Sequence, residues 1–482
     1  MITRQRICGA LYLALLLLPV ALSVLVTRAK GLEARPWLDD WASGLGMIGF
    51  CGVLLSFFLL GRLKPLSGGL GSDLLMQTHQ WFARVVVLFL VLHPFFYTLW
   101  RAPPGPMDAS AARALRIGGG DWGLATGLLA LGCLLTLVAT AVWRQRSGIS
   151  HESWRLQHSG LALAVMGFGL HHTLVSGRYS QMDAVATFWW LLAGLAMLSW
   201  LWVYLVRPLS QGAHPYRIEK LQLCAERIWL LEVAPHHQRP AQFRAGQFGW
   251  IKLRHRWPHR DNPFSFSNAP NQQGKLAFLI KEAGDMTRAV ARSSAGDTVY
   301  LDGPHGRFEP DPDAEAIVMH AGGIGVAPFV GLLADAVARQ DHRPIRLVYA
   351  DKHARQMVDV MTLSGAHALT DFALLPMAQE TDADWQGLTG RLDAEGLAQA
   401  LEHPSVAPVA QRACHLVCGP EPMMVAVETA LSERGVPAER IVSEHFLYDF
   451  EALSPLAKRR RNSWRLLAGA SLLALAVALA LR

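Results

Sequence analysis

The chain has 482 residues, enough for two to four domains. It is 51% hydrophobic and only 17% charged, against roughly 25% charged in soluble globular proteins, which excludes a chain lying wholly in water. The net charge of +7 comes without a compact basic recognition element, which argues against nucleic acid as a partner, and Arg and Lys flanking membrane spans account for it.

Six apolar runs of about 20 residues, the length that crosses hydrocarbon, precede residue 210. They are Cys8–Val26, Ala42–Leu60, His79–Trp100, Gly123–Trp143, Trp154–Leu174 and Ala184–Val206. The first follows Arg4 and Arg6, as the core of a signal peptide would. It is long, no small-residue cleavage site ends it and more spans follow, so it is expected to stay as an uncleaved helix. The link Arg101–Asp121 is rich in Pro, Gly and Ala and reads as a loop.

Near Pro208 the composition changes. Arg217–Cys224, Ile228–Val233 and Phe248–Leu253 alternate apolar and polar residues, which predicts a small antiparallel barrel. Apolar strands then alternate with helix-length stretches: Ala316–His320, a Gly-rich turn and a helix to Arg339, then strands Ile345–Ala350 and His415–Cys418. That is the pattern of a parallel α/β sheet. The tail carries Lys458-Arg459-Arg460-Arg461 before an apolar run, Leu466–Leu481, which predicts a further C-terminal helix. The expected domains are residues 1–210 (membrane helices), 211–312 (barrel), 313–450 (α/β sheet) and 451–482 (basic linker and helix). The six cysteines form no C-x-x-C pair and no C-x-x-C-H site, which argues against a disulfide frame and against covalently attached haem.

Histidine inside a membrane helix is costly and marks function. His79 and His93 stand 14 residues apart in the third span, and His158 and His172 stand 14 apart in the fifth. At about 100° and 1.5 Å per residue, 14 steps return to nearly one helix face and climb about 21 Å. Two such helices can hold two haems stacked across the bilayer, His79 pairing with His158 and His93 with His172. His171, turned about 100° from its neighbour, is the alternative to His172. Two imidazoles fill both axial positions of an iron, so such haems carry electrons and do not bind oxygen.

The second half carries nucleotide motifs. Asn262-Pro263-Phe264-Ser265-Phe266-Ser267 places an aromatic and a hydroxyl where a barrel could stack a flavin and bond its N5 edge. Gly284-Asp285-Met286-Thr287 opens a helix whose N–H groups could meet a pyrophosphate. Ala321-Gly322-Gly323-Ile324-Gly325-Val326-Ala327-Pro328 joins a strand to a helix, where glycines let a dinucleotide approach the backbone, though not at the G-x-G-x-x-G spacing. Cys418-Gly419-Pro420-Glu421-Pro422-Met423-Met424 ends another strand and could face a nicotinamide.

Taken in order, NPFSFS, GDMT, DGPHGRF (Asp302–Phe308), AGGIGVAP and CGPEPMM resemble the ferredoxin–NADP reductase family. Joined to a six-helix core with paired histidines, the whole resembles the ferric reductase / NADPH oxidase superfamily in a bacterial-type short form. The resemblance implies FAD, two b haems and NADPH or NADH as cofactors. It implies that Phe264 stacks on the flavin with Ser265 near N5, and that Gly284, Met286 and Thr287 lie at the FAD pyrophosphate with Asn262 and Pro263 beside it. Gly322, Gly323 and Gly325 cradle the nicotinamide nucleotide, Cys418, Gly419 and Pro420 lie at the hydride-transfer site, and Phe446 covers the flavin. Asn262 stands where the family usually has Arg or His, which weakens a phosphate contact there. After the strand Ile345–Ala350, Asp351 suits the free ribose 2′-hydroxyl of NADH, whereas Lys352 or Arg355 could hold a 2′-phosphate.

The expected function is electron transfer from cytosolic NAD(P)H through FAD and two haems to an acceptor outside the cytoplasm, either a small molecule such as Fe(III) or a small redox protein. Oxygen reduced to superoxide is one alternative, and a proton or ion conduit with a nucleotide-sensing domain is another. The expected setting is a bacterial inner membrane, in contact with lipid, with the dehydrogenase domain in the cytoplasm. Arg and Lys in the loops nearly balance between the two sides, so the orientation rests on the tail's basic block and on cytosolic NAD(P)H. Oligomeric state leaves no mark in the sequence.

Overall fold

The computed structural model describes residues 2–31, 37–59, 72–98, 122–144, 146, 148–177, 179–236, 242–254, 261–381 and 384–444, together with 469–470, 472–474 and 477. Contacts divide the chain into a helical unit, Met1–Leu70 with Leu74–Leu205 and Arg461–Arg482, and a second unit, Val206–Arg460 with Gly71–Asp73.

The helical unit contains α1 (Ile2–Ala29), α2 (Trp37–Ser56), α3 (Ser72–Thr98), α4 (Trp122–Val142), α5 (His151–Ser176) and α6 (Asp183–Leu201). Each includes a stretch long and apolar enough to cross a membrane. Backbone polar groups find no water in hydrocarbon, and a helix pairs them internally. α2 is the most enclosed of the six, with Leu45, Ile48, Phe50, Cys51 and Leu54 all buried. Its Gly49 and Gly52 let α3 close in, because a Cβ at either would strike Leu90, or Val86 and Phe82. Hydrogen bonds link other helices: Trp200 Nε1–H donates to Ser159 Oγ (2.7 Å), and the Ser199 hydroxyl donates to Phe57 O (2.8 Å).

Most helices run a few residues past or short of the expected spans, as α2 does by starting at Trp37 and ending at Ser56. α3 begins at Ser72, ahead of the predicted start at His79, because Leu74, Leu75 and Met76 carry the apolar stretch further back and the polar Ser72 and Asp73 open the helix. The sixth span does not end at Val206. A π turn at Trp202–Val206 leads into α7 (Arg207–Ala213). Pro208 has no N–H to give to the preceding turn, and a π turn is one way a helix absorbs that gap. The predicted loop Arg101–Asp121 and the basic block at 458–461 lie outside the described residues. So does most of the predicted C-terminal helix, whose described residues are helical.

In the second unit, β1 (Tyr216–Ala225), β2 (Ile228–Pro235), β3 (Phe248–Leu253), β4 (Asn262–Ser265), β5 (Leu276–Lys281) and, after α8 (Asp285–Ala291), β6 (Thr298–His305) form an antiparallel sheet in the order β4-β3-β6-β1-β2-β5. A bridge between Phe266 and Phe278 joins its two ends into a barrel. Residues two apart fill the interior, such as Leu231 with Val233 and Phe278 with Ile280, which is why the alternating pattern was visible.

A parallel sheet follows, built from β7 (Ile317–Gly322), β8 (Ile345–His353), β9 (Phe372–Glu380), β10 (Leu388–Thr389), β11 (Cys414–Cys418) and β12 (Ile441–Ser443), in the order β10-β9-β8-β7-β11-β12. α9 (Ala327–Ala338) follows β7, and α10 (Glu421–Glu433) follows β11. From β7 the chain moves outward to β8 and β9, then returns to β11 on the other side. In open α/β sheets, ligands bind at the carboxyl ends of the strands flanking such a reversal.

A charged cluster ties α7 to the barrel. Asp302 is buried on β6, and its Oδ1 lies 2.5 Å from Arg207 Nη2 and 2.9 Å from His305 Nε2. Breaking one partner of a buried pair costs more than the pair itself contributes. Asp302→Asn is therefore expected to destabilise the barrel by about 3 kcal/mol, read as a lower unfolding temperature. An unchanged unfolding temperature would contradict this.

Candidate functional site

His79 and His93 project from α3, and His158 and His172 from α5. The two helices bring these faces together. The ring centres of His79 and His158 are 6.4 Å apart with planes at 76°. Those of His93 and His172 are 6.3 Å apart with planes at 78°. A metal–imidazole bond of about 2 Å puts the ring centre about 3 Å from the metal, so two rings about 6 Å apart leave room for one ion between them. Among the described residues, no group of three or more His, Cys, Asp or Glu is placed to hold a metal. Two imidazoles alone undersupply a metal ion, and the four nitrogens of a porphyrin would make up the rest. The residues present therefore fit haem at both levels.

His171 points elsewhere. It is exposed, and its Nδ1 lies 2.9 Å from Thr126 Oγ1. His172 is the residue that faces His93. The backbone orients both rings of this pair: His93 Nδ1–H donates to Ala42 O (2.6 Å) and His172 Nδ1–H to Gly123 O (2.8 Å). A carbonyl only accepts, so Nδ1 carries the proton and Nε2 keeps its lone pair. The Nδ1 atoms of His79 and His158 are buried and meet no hydrogen-bond partner among the described residues. The sequence carried no signal for the two carbonyls, because any residue supplies one.

At the sheet reversal, the turn after β7 meets the turn after β11. Gly323 has φ +54°, where a side chain is strained. A Cβ on Gly322 would lie 2.9 Å from Pro420 Cδ, one on Gly419 would lie 3.0 Å from Gly322 N, and one on Gly325 would run into the Cys418 carbonyl. The turns thus pack backbone on backbone, as a site that admits a pyrophosphate requires. Cys418 is buried, and burial followed by the charge of Glu444 pushes its thiol up. It is a neutral thiol at physiological pH, not a thiolate. Glu444 is itself buried and was not singled out from the sequence. Phe446 lies outside the described residues.

On the barrel, Asn262, Pro263, Phe264 and Ser265 form β4, opposite Ile251, Trp250, Gly249 and Phe248 of β3. Phe264 is half-buried opposite a glycine, and Ser265 is buried. Thr287 Oγ1 accepts the N–H groups of Ala283 and Gly284, each at 2.9 Å, and donates to Gly284 O. Its hydroxyl holds the loop that enters α8, while Met286 packs against the barrel core. At the end of β8, Asp351 is buried. Its Oδ1 accepts the Lys352 N–H (2.6 Å), and its Oδ2 lies 3.8 Å from Lys281 Nζ. Lys352 and His353 pair with Glu380 at 3.4 and 3.0 Å, and Arg355 pairs with Glu226 at 2.6 Å.

Comparison with known proteins gives three family matches: a ferric reductase like transmembrane component over residues 45–169, an oxidoreductase FAD-binding domain over 219–309 and an oxidoreductase NAD-binding domain over 319–429. The chain is 28% identical over 236 residues to the anthranilate 1,2-dioxygenase electron transfer component of Acinetobacter baylyi, covering 47% of this chain and 65% of that protein. It is 29% identical over 206 residues to a flavohemoprotein of Bordetella pertussis, covering 38% and 47%. It is 28% identical over 183 residues to NADH-cytochrome b5 reductase 1 of Laccaria bicolor, covering 36% and 57%. The match thus spans about half to two thirds of these relatives. Among solved structures, a ferredoxin reductase in carbazole 1,9a-dioxygenase aligns with a TM-score of 0.43 at 21% identity, covering 48% of this chain and 69% of that one. The chain is an integral membrane protein in which a ferric-reductase-like transmembrane component precedes FAD-binding and NAD-binding oxidoreductase domains, the architecture of the ferric reductase / NADPH oxidase superfamily.

Proposed function

We propose that this protein is an NAD(P)H-dependent oxidoreductase that carries electrons across a bacterial inner membrane, from a cytoplasmic nucleotide site to an acceptor on the far side. The observation that carries the proposal is the pair of facing imidazoles at two levels of the same two helices, 6.4 and 6.3 Å between ring centres, in a chain that also has FAD- and NAD-binding domains. When bound, FAD supplies the change from two-electron to one-electron transfer, and two b haems supply one-electron carriers.

The chain's own groups position these partners. His79 with His158 would hold the inner haem and His93 with His172 the outer one, and each haem would supply a one-electron carrier. Phe264 and Ser265 would meet the flavin, and Gly284, Met286 and Thr287 would shape the loop at its pyrophosphate. The turns at Gly322–Gly325 and Cys418–Pro420 would hold the nicotinamide nucleotide, with the Cys418 thiol protonated and neutral beside it.

The coenzyme is NADH. The two cations that could bind a 2′-phosphate, Lys352 and Arg355, are engaged by Glu380 and Glu226, and the buried Asp351 carboxylate adds negative charge there. A relative named for NADH-dependent cytochrome b5 reduction supports the same choice. The expected kcat/KM for NADH exceeds that for NADPH at least about tenfold, about 1.4 kcal/mol of discrimination. Equal values would contradict it.

The function is tested in proteoliposomes with a ferric chelate trapped inside and NADH added outside. Reduction of the trapped iron, insensitive to superoxide dismutase, is expected. Loss of that signal on adding the dismutase would identify oxygen as the acceptor. Proton flux with no electron transfer would favour a conduit.

A further inference from the structure

We propose that Gly46 on α2 and Gly127 on α4 are positioning residues of the outer haem, an inference that rests on the haem reading above. Each is a seat, empty of side chain, that lets an imidazole close onto a helix carbonyl. The Nδ1–H of His93 meets Ala42 O, and that of His172 meets Gly123 O. Both glycines stand four residues after the accepting carbonyl, 42 to 46 and 123 to 127.

That spacing has a geometric reason. In an α-helix, the carbonyl of residue i faces the N–H of residue i+4, and the Cβ of i+4 tilts toward the helix N-terminus, over the same carbonyl. Any side chain at i+4 therefore overhangs the acceptor. A Cβ on Gly46 would lie 2.7 Å from His93 Nδ1 and 2.8 Å from its Cε1. A Cβ on Gly127 would lie 2.6 Å from His172 Nδ1 and 2.8 Å from its Cε1. Real Cβ atoms do not approach that closely, so a larger residue must push the ring off its carbonyl.

Helix packing alone does not account for the pattern. Small residues commonly let membrane helices approach, and Gly49 and Gly52 do that against Leu90, Val86 and Phe82. Gly46 and Gly127 instead face imidazole rings, on two different helix pairs, with the same carbonyl spacing. Gly132, five residues further along α4, meets nothing within 4 Å. The seat is also confined to one level, since the Nδ1 atoms of His79 and His158 have no hydrogen-bond partner among the described residues. A carbonyl accepting from Nδ1–H makes Nε2 a stronger donor and fixes the ring plane. A stronger donor favours ferric iron, so the seat lowers the potential of the outer haem. The near-perpendicular planes, 78° apart, predict a strongly anisotropic low-spin ferric EPR signal.

The test uses the purified, haem-loaded protein and its Gly46→Ala, Gly127→Ala and Gly132→Ala variants, read by spectroelectrochemical titration and low-temperature EPR. In both seat variants, the haem that His93→Ala removes is expected to shift to a higher midpoint potential with a changed EPR anisotropy. The other haem stays put, and Gly132→Ala changes neither. Unchanged potentials and EPR signals in both seat variants would overturn the proposal. If a seat variant fails to assemble, the unaltered protein decides: in D₂O, ENDOR should find a slowly exchanging Nδ1 proton on the outer haem, and rapid exchange there overturns it. Unaltered protein without any haem would sink the haem reading itself, a separable outcome.

Discussion

His79→Ala and His158→Ala are each expected to lose one and the same haem, and His93→Ala and His172→Ala to lose the other. His171→Ala keeps both. The grouping follows from geometry: the rings pair across the helices at 6.4 and 6.3 Å, whereas His171 turns toward Thr126. Losing either haem breaks the path, so reduction of a trapped acceptor should fall at least about 100-fold, worth about 2.7 kcal/mol or more in barrier. Reduction of a soluble acceptor that takes electrons at the flavin should stay within about twofold, because the nucleotide sites keep their residues. Haem content per chain, counted for each variant, checks the grouping. Loss of both haems in all four, or of one in His171→Ala, would contradict it.

Gly325→Val is expected to abolish NADH oxidation while leaving FAD bound. A Cβ at Gly325 would run into the Cys418 carbonyl and stand 2.8 Å from Gly419 Cα. These are backbone atoms at the end of a buried strand and have no rotamer through which to yield. The substitution must prise the two turns apart at the reversal of the sheet, where the nucleotide is expected. FAD is assigned to the separate barrel, so its content should hold near one per chain. The NADH-driven rate should drop at least about 100-fold, while dithionite still reduces both haems. Near-normal turnover in Gly325→Val would show that the nucleotide does not use this junction.

Much of this architecture was legible because its causes are local. Apolar runs are long because hydrocarbon is about 30 Å thick, and 14-residue spacing between histidines is visible in one helix at a time. The barrel strands alternate because one face is core, and the Gly-rich turns stand out because few other residues tolerate those contacts. Features set by long-range packing were not legible. Sequence spacing alone left His171 and His172 both open, and the partner residues Thr126 and Gly123 lie more than 40 residues away. The π turn before Pro208 hid within a continuous apolar run. Whether Lys352 and Arg355 were available to a phosphate depended on Glu380 and Glu226, which the fold alone brings near. The seats at Gly46 and Gly127 looked like ordinary helix glycines until the imidazoles facing them were placed.

The most direct test of the central claim is anaerobic titration of the purified protein with NADH, following flavin and haem absorption together and counting both per chain. Two low-spin b haems per FAD, both reduced by NADH without added mediators, is the result expected. A protein that binds FAD and oxidises NADH but shows no Soret band, or carries a single haem, would contradict it.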